Sequence, residues 1–423
     1  MLAELDIFEP PLVQTSVLNS DWINFLPVHA VTKGSPITFL VPSQGSAYID
    51  LTKTLLYVRM KVKNAASGAA LGPTDKVSLV NYPLAALFSN ISIDFNGVNV
   101  ATSNNMAHYR SYFETLINFN SSAKDSHLTS ALFIQDTPGK FNDLTSEPNK
   151  QRAAFIKESK EVELFGKLHS DILNINKYML NGIDIKITLT RNPDALVTLS
   201  EDALKGEVEI LESILYIRKI DVSPSILVAH AKILEGAVAK YPYKRVEMVN
   251  YTLASGIFSK SFDNLCHNRI PERIIFGLTT NSSFSGSVTE SPFNFEHFDC
   301  NNVALSVNGS LIGGSPFKPN YAESKHIRPF LFSFFGNSLY LSDDGWCVGR
   351  QDYPSGFCLY SYDTSVDMGA SESYMGIQRQ GSLRLDLGFA KALPSVVNLI
   401  VLFEVSDVLE IDRSRNVLIQ YKN

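Results

Sequence analysis

Cys266 with His267, and His297 with Cys300, place two thiols and two imidazoles in two close pairs. Soft sulfur and nitrogen ligands in that number are what a closed tetrahedral zinc site uses. The spacing is awkward for it, because adjacent residues of an extended chain project to opposite faces. His297 and Cys300 also stand in the aromatic run Phe293, Phe295 and Phe298, where a free cysteine serves as a small buried hydrophobe. These four residues therefore carry two readings, zinc ligation and core filling. Asp343-Asp344 before Gly345-Trp346 could make a hydrolase dyad or a calcium site, yet two acids preceding glycine are most often a solvated turn. Lys240, Lys244 and Arg245, interleaved with Tyr241 and Tyr243, could pair phosphates and stack bases. In a chain of net charge -6 the same cations read as an ordinary exposed face.

The histidines at 29, 108, 127, 169, 230, 267, 297 and 326 contain no H-x-H pair, so the clustered ligands of a double-sandwich metal oxygenase are missing. Neither glycine-rich phosphate motif occurs. The G-x-S-x-G elbow, H-E-x-x-H and the EF-hand loop are absent too. The expectation is a protein with no catalytic residue, cofactor or metal ligand to assign.

Chemistry of that kind needs elements to hold it, and the composition describes them. The 423 residues are 45% hydrophobic and 11% aromatic, enough to bury most of the unfolded surface and to exclude bulk disorder. Charged residues make up 19%, below the roughly 25% of average chains, and the balance is acidic, unlike a protein built to neutralise phosphates. The four cysteines form no C-x-x-C pair, so neither a disulfide framework nor a zinc ribbon is expected, and a reducing compartment fits. Met1 to Asp6 is acidic where a signal peptide is basic, and the apolar run from Leu393 to Val405 is broken by Pro394, Asn398 and Glu404; no export signal or membrane span is expected.

Alternation of period two dominates. Leu56, Val58, Met60 and Val62 alternate with Tyr57, Arg59, Lys61 and Lys63, and Ile183, Ile185, Ile187 and Leu189 with polar neighbours. Leu383, Leu385 and Leu387 do the same, each run reading as a strand with one wet face. Further strands are expected at 37–41, 91–95, 208–217, 246–253, 274–278, 303–307 and 396–405. Helical spacing is clearest at Met106, Tyr109, Phe113 and Leu116, a stripe suited to packing over the end of a sheet. A second helix, capped by Ser223 with Pro224 at its first position and Leu227, Ala231, Leu234 and Val238 on one face, sits near the midpoint and reads as a connector.

Superposed on itself at an offset of 212 residues, the chain places Ile91-Ser92-Ile93-Asp94-Phe95-Asn96-Gly97 on Val303-Ala304-Leu305-Ser306-Val307-Asn308-Gly309, and Tyr109 on Tyr321. Each heptad is an alternating apolar triplet ending in the Asn-Gly pair of a tight hairpin. The match reads as a tandem duplication giving two similar sandwiches, or as a chance coincidence in a β-rich chain. Two stretches, 120–160 and 336–381, lack sheet pattern and read as excursions out of the sandwiches.

Several runs then resemble a known family. Gly34-Ser35-Pro36-Ile37-Thr38-Phe39, Asn81-Tyr82-Pro83-Leu84-Ala85-Ala86-Leu87-Phe88-Ser89, Tyr241-Pro242-Tyr243-Lys244-Arg245-Val246-Glu247 and Ser291-Pro292-Phe293-Asn294-Phe295-Glu296-His297-Phe298 look like the double jelly-roll major capsid protein of Polinton/Maverick elements and adintoviruses. The likeness covers roughly residues 30 to 410, and none of these runs is a catalytic motif.

That resemblance implies an all-β chain of two tandem eight-stranded jelly rolls with a few short helices and long loops. The implied divisions are an N-terminal arm at 1–24, jelly rolls at 25–222 and 241–412, a connector helix at 223–240 and a tail at 413–423. It implies a homotrimer of pseudo-hexagonal outline, the hexon of an icosahedral virion capsid, made inside a host cell. Its partners are then other copies of itself and a single jelly-roll penton protein, with no sequence-specific nucleic acid. Arm and tail are expected to reach neighbouring capsomers, and the loops after Asn120 and Gly336 to form towers or clamps. The rival reading is a two-sandwich hydrolase or glycan-binding module using Trp346, Asp343 and the aromatic stretch at 336–381.

Overall fold

The computed structural model describes residues 13–43, 45–201, 204–266 and 269–419. Eight strands make the first lobe: β1 (Val17–Phe25), β2 (Ile37–Val41), β3 (Tyr48–Asn64), β4 (Phe88–Phe95), β5 (Val98–Thr102), β6 (Val162–Lys167), β7 (Ile185–Arg191) and β8 (Gly206–Val222). Eight more make the second: β9 (Ala239–Leu253), β10 (Ser259–Phe262), β11 (Arg273–Thr280), β12 (Cys300–Val307), β13 (Ser310–Leu311), β14 (Leu359–Asp363), β15 (Leu383–Phe389) and β16 (Val397–Ile411). The first lobe pairs them in the orders β1-β8-β3-β6 and β2-β7-β4-β5. The second repeats both orders with eight added to every number, β9-β16-β11-β14 and β10-β15-β12-β13. The chain is an all-β double jelly roll, each roll a sandwich of two antiparallel sheets, four-stranded except that one sheet of the second roll takes a fifth, short strand from the tail.

The alternation that announces these strands sorts their side chains. Leu56, Val58, Met60 and Val62 are fully buried, whereas Arg59, Lys61 and Lys63 stay on the outer face. There Arg59 pairs with Glu161 at 2.9 Å and Glu212 at 3.2 Å, and Lys63 with Glu209 at 2.5 Å.

The duplicated heptad occupies equivalent places. Asn96 and Gly97 join β4 to β5, Asn308 and Gly309 join β12 to β13, and all four have positive φ: 48°, 81°, 50° and 82°. The asparagine does more than turn. Asn96 donates its backbone N–H to the Asp184 carbonyl at 3.0 Å, and its Oδ1 accepts from the Asp184 N–H at 2.8 Å. Asn308 makes the same two bonds with Ser382, at 3.0 and 2.9 Å. Each turn is thus latched to the start of the neighbouring strand, β7 or β15. Alanine at 308 loses the side-chain acceptor and is strained at this φ, so Asn308→Ala is expected to destabilise by about 1–2 kcal/mol in urea unfolding, and Asn96→Ala by a similar amount. Tyr109 and Tyr321 do not correspond: the first lies in α1 (Ala107–Asn118), the second in a 3-10 turn ahead of the equivalent helix.

Several sequence-based boundaries shift. Residues 17–24, expected in an arm, are strand β1, in register with β8 from Val17↔Val222 to Phe25↔Leu215. Residues 1–12 of that arm lie outside the described residues. α2 (Glu147–Ile156) falls within the first excursion. The helix expected as a connector is α3 (Pro224–Ile233), and Val238 lies past its end. No side-chain bond from Ser223 caps it, and of the expected stripe only Leu234 is buried. A hydrogen bond of 2.8 Å between the Tyr48 hydroxyl and His230 ties the helix down. β9 begins at Ala239 and runs through Pro242, which an edge strand tolerates.

The tail folds back as β17 (Val417–Ile419) against Leu409–Ile411. The Arg415 carbonyl accepts from Asn96 Nδ2 at 2.9 Å, and its guanidinium donates to Asn181 at 2.8 Å. Residues 413–419 are therefore used within the chain, and 420–423 lie outside the described residues.

The stretch 336–381 is not wholly an excursion, since it contains β14. All five residues of β14 are buried. Its outer side is covered by α4 (Ile327–Phe335), with Ser333 Oγ donating to the Leu359 carbonyl at 2.9 Å. A strand buried on both faces has no polar alternation to read.

Candidate assembly surface

Among the described residues, those singled out for chemistry are engaged in other contacts. Cys266 is buried, and His267 lies outside the described residues. His297 stacks on Tyr321 with ring centres 4.1 Å apart, and its Nδ1 accepts from the Asp299 N–H at 2.9 Å. Cys300 is fully buried, its thiol donating to the Asn302 carbonyl at 3.5 Å. Burial pushes the Cys266 thiol up to about 11 and the Cys300 thiol up to about 12, the opposite of what a metal ligand needs. Among the described residues no three His, Cys, Asp or Glu side chains are placed to hold a metal ion.

Asp343 and Asp344 are exposed, and Ser342 Oγ accepts from the Asp344 N–H at 3.1 Å, a solvated turn. Trp346, Tyr353, Phe357, Tyr360 and Tyr362 are buried and present no flat platform to a sugar; Tyr374 of the same stretch is exposed, its hydroxyl donating to Asp367 at 2.6 Å. The basic triplet is internally neutralised: Lys240 lies 3.7 Å from Glu410, Lys244 against Glu272, and Arg245 2.5 Å from Glu247. Tyr241 and Tyr243 between them are buried.

What the molecule does build is a seam between its lobes. The apolar face of α1 meets the second lobe, as the stripe through Tyr109 and Phe113 suggests. Tyr112 stacks on Phe293 at 4.3 Å and 6°, Tyr109 on Phe284 at 5.8 Å, and Phe113 packs on Phe295 at 5.0 Å. The excursions meet as well, Phe141 against Phe357 at 5.0 Å. Trp346 donates its backbone N–H to the Ile117 carbonyl at 2.8 Å. Gly345, at φ 74°, is required there, because a Cβ would stand 2.3 Å from that same carbonyl.

Beneath the aromatic face lies a buried charge network. Arg110 donates to Glu114 at 2.7 Å and pairs with Asp171 at 2.5 Å. His169 bridges Glu114 at 2.7 Å and the Tyr82 hydroxyl at 2.9 Å. Asp171 accepts the backbone N–H of Val246 in β9 at 3.1 Å, so the network crosses from one lobe to the other. Burial pushes Asp171 up to about 6 against the opposing pull of Arg110. Burial also acts to raise Glu114, but Arg110 and His169 outweigh it and hold its carboxyl well below the usual range. None of these partners was recoverable from sequence except the i, i+4 pair of Arg110 and Glu114.

Among the large apolar side chains that reach solvent are two sets. At one edge of the first sandwich, where β1 and β2 are the outermost strands of their sheets, Leu18, Trp22, Leu26, Val28 and Leu40 face solvent, Trp22 half exposed at 50%. In the second lobe Tyr340, Leu341, Val366, Met368 and Ile377 do so, Leu341 at 90%. An unpaired strand edge beside apolar side chains is a template for association. No helix among the described residues is long and apolar enough to cross a membrane.

No protein-family model matches the chain. A Caenorhabditis elegans protein described only as uncharacterized is 20% identical over 429 residues, spanning 97% of this chain and 99% of that protein. Among solved structures, the Sputnik virophage gives a TM-score of 0.65 at 11% identity, covering 99% of this chain and 91% of that one. The Faustovirus major capsid protein gives 0.60 at 10% identity, covering 95% and 92%. At such identities the likeness is one of fold, and it extends over both lobes.

Proposed function

We propose that the chain is a structural major capsid protein of the Polinton/Maverick and adintovirus group, a hexon-like homotrimer whose pseudo-hexagonal outline tiles an icosahedral virion shell. The observation that carries this reading is the exact repetition of one eight-strand order in both halves of the chain. Three copies of a chain with two similar lobes present six similar lobes, which suits a lattice of sixfold surroundings built from repeated contacts. The fold likeness to the Sputnik and Faustovirus structures supports it. So does the investment of the interior in an aromatic and ionic seam between the lobes. In this reading the lobes are two jelly rolls joined through α3, the protein is not an enzyme, its place is the virion capsid, and a single jelly-roll penton protein closes the shell.

The two apolar exposures are the trimer contacts, burying of the order of 2,000 Å² or more, as obligate interfaces do. Light scattering at micromolar concentration is expected to give three times the chain mass of 46.9 kDa. The double substitution Leu18→Glu/Trp22→Glu places charge where the reading needs a dry contact. It is expected to yield folded monomers with an unchanged circular dichroism spectrum. A wild-type monomer, or a variant that still forms trimers, contradicts the assignment of this edge.

A further inference from the structure

Lys124 closes a one-turn helix at Ser121–Lys124, and its side chain is buried. Its Nζ donates to the Leu116 carbonyl at 3.0 Å and stands 3.0 Å from Cys347 Sγ. Neither acceptor is a carboxylate, an unusual setting for a buried ammonium. The ring of Phe133 lies 5.9 Å away, and Cys347 also approaches Gln135 Oε1 at 3.7 Å. Cys347 is the one cysteine of the four that keeps partial exposure. The two residues belong to the two long loops, one from each lobe.

We propose that Lys124 and Cys347 form a reversible sulfur–nitrogen cross-link in the presence of hydrogen peroxide, joining the long loop of the first lobe to that of the second. The amine is already in contact with the sulfur. Burial lowers the pKa of Lys124, which favours the neutral, nucleophilic amine. The thiolate of Cys347 attacks peroxide, the O–O bond breaks, and the sulfur becomes a sulfenic acid with release of one water. The Lys124 nitrogen then attacks that sulfur: an S–N bond forms, the S–O bond breaks, and the hydroxide leaves with an amine proton as a second water. One thiol, one amine and one peroxide give one sulfenamide and two waters. A small thiol reverses it by attacking the sulfur and releasing the amine.

Selectivity follows from the other thiols, since Cys266, Cys300 and Cys358 are buried and their pKa values are raised by that burial.

Peptide mass spectrometry of the full-length protein, treated with peroxide and digested without reductant, tests this. The expected product is a joined peptide containing Lys124 and Cys347, with the summed mass of its two parts less two hydrogens, and it disappears on addition of dithiothreitol. In Lys124→Arg, which keeps the charge, the joined peptide is lost and Cys347 is instead trapped as sulfenic acid by dimedone. In Cys347→Ser neither product forms. Wild-type protein in which Cys347 oxidises to sulfenic or sulfinic acid while Lys124 remains free overturns the proposal, as does a Cys347 that does not react.

Discussion

Arg110→Ala is expected to lower the stability of the chain by about 3–5 kcal/mol, read as a fall in the urea midpoint. The guanidinium is the shared counter-charge of Glu114 and Asp171, and it is itself buried. Removing it leaves two carboxylates out of water, with His169 and the more distant Lys167 to answer Glu114. The cost comes from stranding partners, not from the intrinsic worth of an ion pair. The same substitution in a Glu114→Ala background is therefore expected to cost less, and the difference between the two backgrounds measures the coupling. Equal costs in both backgrounds would show that Arg110 is not energetically coupled to Glu114. Because Asp171 also holds the Val246 N–H, the loss is felt across the seam between the lobes.

Phe293→Ala is the second large effect, again about 3–5 kcal/mol, the range for deleting a buried aromatic side chain. Phe293 is fully buried and receives Tyr112 face to face at 4.3 Å and Tyr109 edge-on at 6.0 Å. It is the piece of the second lobe on which α1 of the first lobe rests. Phe293→Leu keeps most of the volume and loses the stacking, and is expected to recover more than half of the loss. Calorimetry distinguishes a seam from an ordinary core: with the alanine the lobes are expected to melt apart, giving two heat peaks where the parent gives one. A single peak shifted to lower temperature would place Phe293 in one cooperative core.

Much of this architecture is legible from residues. Runs such as Leu56 to Val62 and Leu383 to Leu387 advertise themselves because each strand has one buried and one wet face. The two Asn-Gly turns are readable because few residues tolerate positive φ, and they mark equivalent hairpins 212 positions apart. What escapes is what the period cannot encode. β14 is buried on both faces, β10 and β13 are short and largely exposed, and β1 lies at a sheet edge where alternation weakens. The stripe on α3 is real as spacing, yet the helix lies on the surface, and only Leu234 of that stripe is buried.

The candidate surface was legible only in part. The helical stripe through Tyr109 and Phe113 pointed to packing, without its partners Phe284, Phe293 and Phe295. Arg110 and Asp171 are separated by dozens of residues, and no local rule joins them. Trp22 and Leu341 look like ordinary core residues in a sequence; only their exposure in the folded chain makes them candidates for contact between copies. Conversely Cys266, His297 and Cys300 look like ligands until the fold sets them among other partners.

Electron microscopy of the purified protein tests the central claim most directly. Six-lobed particles of pseudo-hexagonal outline, each resolving into three two-lobed chains, are the predicted result. Discrete two-lobed particles at the same concentration, with no threefold species, would contradict it.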